Sequence, residues 1–106
     1  MQQKKRPEER TWLEPWGEIP TSQRDSFLLQ LNKEITQRHP LFGRHLELIG
    51  RSFANDDLLV VVDTSEWVVV HLTWLGSGDS RFPLFESFDT WSGFVNNKMA
   101  VDNEGF

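Results

Sequence analysis

Residues 57–74 read DLLVVVDTSEWVVVHLTW and decide the fold. Two dense β-branched runs, Leu58–Val62 and Trp67–Trp74, flank the polar break Asp63-Thr64-Ser65-Glu66. Branched and aromatic side chains suit a pleated, buried surface, so the stretch predicts a β-hairpin through a small core. On its N-terminal side, His45–Phe53 reads as a further strand, joined through a turn at Ala54-Asn55-Asp56-Asp57. The result is an antiparallel meander of three strands with Leu58–Val62 in the centre.

Helices are expected on either side. In Thr21–Arg38, Leu28, Leu31 and Ile35 fall on one stripe, with Thr21 or Ser22 as the cap and Pro40 beyond the end. A second helix runs from Ser87 or Asp89 to about Ala100, with Trp91, Phe94, Val95 and Met99 on its buried stripe. Thr11–Pro20 holds two tryptophans, two prolines and a glycine, so it reads as an irregular segment lying on the body. Phe82–Phe88, broken by Pro83, reads as packed but irregular, and Leu75–Arg81 as a flexible loop. The fold class is α+β with the order α-β-β-β-α, a single domain over residues 11–106 behind a disordered leader at residues 1–10.

The chain has 106 residues, enough to bury about two thirds of its unfolded surface without staples. Cysteine is absent, which removes disulfides and thiolate chemistry and fits the cytoplasm. No apolar run approaches the roughly 18 residues of a membrane span, so no membrane partner is expected. The net charge is −5. Lys4, Lys5, Arg6 and Arg10 outweigh Glu8 and Glu9 in the leader, so the body is more acidic than the total. An acidic body repels phosphate backbones, and no nucleic-acid partner is expected. The element order matches that of a double-stranded-RNA-binding domain, but Ser87–Ala100 offers only Lys98 where such a domain needs a basic helix.

Two-residue turns at Asn55-Asp56 and Thr64-Ser65 would pair Val62 with Trp67 and Leu58 with His71. One sheet face then carries Leu46, Leu48, Leu59, Val61, Val68 and Val70. The other carries Ile49, Leu58, Val60, Val62, Trp67, Val69 and His71. Two helices commonly cover one face of such a sheet. Ile49, Val60, Trp67 and Val69 therefore mark a candidate interface for a lid segment, a partner protein or a second copy.

His71 is the polar intruder among valines. It can serve as a general base or a ligand anchor, or simply bond a polar group at the sheet edge. Asp57, Thr73, Trp74 and Arg81 gather at the same rim and complete the candidate binding residues. The three histidines are too dispersed to share a metal, no Glu-x-x-His spacing exists, and neither a metal nor a cofactor is expected. No G-x-S-x-G elbow is present, and Gly76-Ser77-Gly78 opens no helix, so neither a catalytic residue nor a phosphate loop is assigned.

His39-Pro40-Leu41, Asp56-Asp57, the Val70-His71-Leu72-Thr73-Trp74 string, Pro83 and the Phe88–Phe94 aromatics together resemble a family of small bacterial proteins marked by a V-H-L-T-W strand. Some small proteins of this general build act as immunity partners of secreted toxins. The resemblance implies a stand-alone bacterial domain and carries no catalytic residues. Two functions compete: a non-enzymatic interaction module, immunity-like or homodimeric, and a small enzyme or ligand-binding domain centred on the His71/Trp74 rim.

Overall fold

The computed structural model describes residues 11–106; the expected leader at residues 1–10 lies outside the described residues. The first element among the described residues is a strand, β1 (Trp16–Glu18), ahead of the expected helix. Helix α1 (Thr21–Glu34) follows, then β2 (Leu46–Ser52), β3 (Leu58–Val62), β4 (Glu66–His71) and β5 (Leu84–Phe88). The C-terminal helical stretch comprises α2 (Trp91–Phe94), a π-helical turn (Val95–Met99) and α3 (Ala100–Glu104). The α+β class stands, but among the described residues the sheet has five strands in the order β1-β2-β3-β4-β5, every neighbour antiparallel, where three were expected. The two added strands lie in the proline-bearing segments. Pro15 and Pro83 sit one residue outside β1 and β5, where a missing N–H costs no ladder bond.

The register differs from the expected one by one position. Val62 pairs with Glu66, Val61 with Trp67 and Leu58 with Val70. The connection is therefore Asp63-Thr64-Ser65, with Asp63 and Thr64 at φ 52° and 64°. Asp63 is held out of the strand by contacts remote in sequence: its carboxylate accepts from Arg44 Nε at 2.8 Å and from the His45 N–H at 3.0 Å. The preceding turn is also longer, because Ser52 N–H donates to the Asp57 carbonyl at 2.8 Å and Asp56 takes φ 64°. A one-residue slip moves every side chain of β3 to the opposite face.

β2 adjusts to this slip by a bulge. Leu48 pairs with Val60 and Gly50 with Leu59, leaving Ile49 as the extra residue. Arg24 of α1 donates to the Leu48 carbonyl at 2.6 Å, bracing the interrupted ladder. Gly50 is required here: a Cβ would lie 2.5 Å from the Trp12 ring and 2.8 Å from the Gly17 carbonyl.

The alternation of the pleat sorts the core into two clusters, one on each face of the sheet. Leu48, Leu58, Val60, Val62, Val68 and Val70 pack with Phe27 and Leu31 of α1, joined by Ile19, Ile35 and Leu41. Ile49, Leu59, Val61 and Val69 pack with Trp16 and with Phe94 and Met99 of the C-terminal stretch. The molecule is thus three layers, helix on sheet on helix, with both sheet faces covered by its own chain. The cover that the second face was expected to need comes from the chain itself, from Trp12 and Trp16 and from Phe88 to Met99. Val60 lies on the α1 side, away from Ile49, Trp67 and Val69, and Ile49, Val60 and Val69 are buried. Trp67 is half-buried against Trp91, ring centroids 5.5 Å apart.

Candidate functional site

α1 ends at Glu34, short of Arg38, where Ile35 takes an extended backbone (φ −86°, ψ 92°), and Glu34 is a hub for the β4–β5 connection. Glu34 is fully buried. Its carboxylate accepts from the Thr73 N–H (2.8 Å), the Thr73 hydroxyl (3.0 Å), the Trp74 N–H (2.8 Å) and Gln30 Nε2 (2.6 Å). A buried carboxylate is tolerable when its lone pairs are filled in this way. Its main-chain carbonyl also accepts from the Gly78 N–H at 3.0 Å, and the Thr36 hydroxyl donates to the Gly78 carbonyl at 3.0 Å.

The remainder of the connection is tied down as tightly. A Cβ on Gly78 would lie 2.2 Å from the carbonyl oxygens of both Glu34 and Phe82, so only glycine fits between them. Asp79 Oδ1 accepts from the N–H groups of Phe82 and Arg81, both at 2.8 Å. Those two bonds, Phe82's foremost, hold the Asp79 carboxyl below the usual carboxylate range. Buried His39 accepts the Leu41 N–H on Nδ1 at 3.0 Å, which leaves its Nε2–H to donate to the Pro83 carbonyl at 2.8 Å.

The Leu75–Arg81 segment expected to be flexible is therefore an anchored loop, and its anchors hold apolar side chains in water. Trp74 is 48% exposed, Leu75 88% and Phe82 39%. Trp74 adopts φ 60°, a left-handed geometry uncommon for a bulky residue, and its ring meets Phe27 edge-on at 5.8 Å. Thr73, Leu75, Ser77, Gly78, Asp79 and Phe82 line a groove of about 280 Å³.

The second constellation lies on the other sheet face. His71, the last residue of β4, has Nδ1 2.9 Å from Asp57 Oδ2 and Nε2 2.9 Å from Glu86 Oε2 on β5. Both ring nitrogens donate, so the imidazolium is favoured and the pKa is raised. The Asp57 hydrogen bond is the largest cause, partial burial opposes it, and Asp57's charge and Glu86 add to it. Lys98 of the π-helical turn lies 3.9 Å from Glu86 and 3.6 Å from Asp102, which accepts from Trp16 Nε1 at 2.8 Å. This chain of charges links β1, β4, β5 and the C-terminal stretch. With a carboxylate oxygen against each ring nitrogen, His71 has neither nitrogen free for a substrate. Among the described residues no cluster of three or more histidine, aspartate or glutamate side chains could hold a metal.

The expected rim thus divides. Asp57 and His71 stand together. Thr73 and Trp74 turn instead to Glu34, and Arg81 lies with its guanidinium 5.4 Å from the Phe82 ring centroid. Glu34, Glu86, His39 and Gly78 carry no site role in the sequence alone. Glu34 had a signal: it follows Phe27 and Leu31 along the buried stripe of α1, where a charge demands partners.

Together the fold and site define an α+β domain with a helix-flanked antiparallel sheet and a pinned loop at one end. No protein family, curated protein or solved structure matches this chain. No helix among the described residues is long and apolar enough to cross a membrane.

Proposed function

We propose that this protein is a non-enzymatic recognition module that docks a protein partner through the crest Trp74, Leu75 and Phe82. One observation carries the reading: a fully buried carboxylate, Glu34, spends its hydrogen bonds on holding a loop whose exposed side chains are apolar. A loop fixed in advance loses little entropy on binding, and a half-exposed tryptophan beside aliphatic groups is the kind of side chain that dominates interface energies. The acidic body suits a partner with a basic surface, in the manner of an immunity protein, and the cysteine-free composition suits the cytoplasm.

The alternative, a small enzyme or ligand site at the His71/Trp74 rim, has less support, because both ring nitrogens of His71 are committed to carboxylates. A homodimer through the sheet face around Trp67 loses its motive, since helices of the same chain cover that face. The test compares proteins retained from the native cell extract by the wild type and by a folded Trp74→Ala/Leu75→Ser variant. A retained partner that the variant loses by about tenfold, worth some 1.4 kcal/mol, fits the proposal. Equal retention by both overturns it.

A further inference from the structure

Among the described residues, the two edges of the sheet are built differently. β1 has three residues and lies between Pro15 and Pro20, which blunts it against further pairing. β5 has five residues, LFESF, with no proline, lysine or bulge, and Leu84, Glu86 and Ser87 are exposed. Ser52 donates to the Asp57 carbonyl and Asp63 to the His45 carbonyl. Odd-numbered positions flanking and within β3 therefore bond toward β2, and its even-numbered residues toward β4. Carried across β4, this alternation commits Leu84, Glu86 and Phe88 to β4 and turns the main-chain groups of Phe85 and Ser87 to the open side.

Beside that open edge runs a groove of about 470 Å³ lined by Ser87, Phe88, Asp89, Thr90, Gly93 and Asn97. Gly93 contributes no side chain, so the groove stays wide where the helical stretch passes β5. Asp89 is exposed and makes no ion pair among the described residues, whereas Glu86 is already engaged by His71 and Lys98. An unpaired carboxylate on an acidic body favours a cation, and two β5 edges would bring Glu86 and Asp89 of both copies together.

We propose that the outer edge of β5 accepts an extended segment of a partner protein as an added strand, with a lysine or arginine of that segment meeting Asp89. The main-chain groups of Phe85 and Ser87 supply the affinity, and the groove and Asp89 select the side chain. This adds a second surface to the recognition reading, next to the crest through Pro83, and rests on that reading only for the idea of a protein partner.

The probe is a fluorescent octapeptide of alternating lysine and valine, with a glutamate–valine peptide as its opposite, titrated into the full-length protein by anisotropy. Ser87→Pro removes a donor that points away from β4. It should weaken the lysine–valine peptide by about tenfold, and Asp89→Asn by a few fold, with folding checked by circular dichroism. The Trp74→Ala/Leu75→Ser variant should bind this peptide as the wild type does, so loss of the crest reading and loss of the edge reading are told apart. The inference is overturned by no saturable binding at millimolar peptide, by equal binding of both peptides, or by Ser87→Pro binding unchanged. It is also overturned by self-association that Ser87→Pro abolishes, which would make a second copy the occupant.

Discussion

Glu34 is an ionisable side chain removed from water and answered by four donors, two of them main-chain N–H groups of Thr73 and Trp74. Removing the acceptor strands those donors in a buried site, at roughly 1–3 kcal/mol for each unsatisfied group. Glu34→Ala should therefore lower unfolding free energy by about 2–4 kcal/mol, read from urea midpoints at constant slope. Glu34→Gln, which keeps an acceptor oxygen, should cost less. A loss below about 1 kcal/mol in Glu34→Ala would mean that the hub is not holding the loop.

His71 makes a different prediction, because its folded pKa is raised above the ordinary 6.5. A raised histidine pKa stabilises the fold fully below the unfolded value, and the contribution is lost as pH rises through the folded value. The wild type should thus lose stability relative to His71→Gln on going from about pH 6 to pH 9. Thermal midpoints of the two proteins across that range provide the check, and parallel curves would show that the Asp57–His71–Glu86 clamp adds nothing.

At the scale of elements, the β4–β5 connection behaves as a framework part despite lacking regular structure. Gly78 sits between the carbonyls of Glu34 and Phe82. Gly78→Ala must push the loop off α1, and overpacking of this kind costs about 1–3 kcal/mol. A tryptophan-fluorescence shift from Trp74 should accompany the loss; an alanine variant as stable as the wild type would contradict the packing described.

Much of this scale was legible in the sequence. The valine-rich hairpin and the Trp91, Phe94, Val95, Met99 stripe both announce themselves through composition and spacing. The register was not legible, because Asp63 leaves the strand only when Arg44 and His45 arrive from another element. β1 and β5 were hidden for a local reason: Pro15 and Pro83 argue against a strand when the residue beside them is the first one in it. His71 and Asp57 could be singled out as a polar pair, but Glu86 could not be joined to them while β5 read as irregular.

At the scale of the molecule, the sheet separates two apolar clusters, and each of its faces has its own helical cover. With both faces closed, recognition is left to the rim of the sheet: the outer edge of β5, and the end where β4 passes into β5. There the buried groups of α1 and the exposed apolar groups of the loop form one continuous construction, from Glu34 through Thr73 to Trp74 and Leu75. If the loop were loose, the apolar crest would carry no special meaning.

Amide hydrogen exchange of the free protein tests that rigidity most directly. Thr73, Trp74 and Gly78 donate to Glu34. Their amides should exchange at least about a hundredfold more slowly than those of Ser77 and Ser80 in the same loop, since they open only when the hub releases them. Uniform, fast exchange across residues 73–80 would contradict a loop fixed in advance, and with it the reading of this protein as a recognition module.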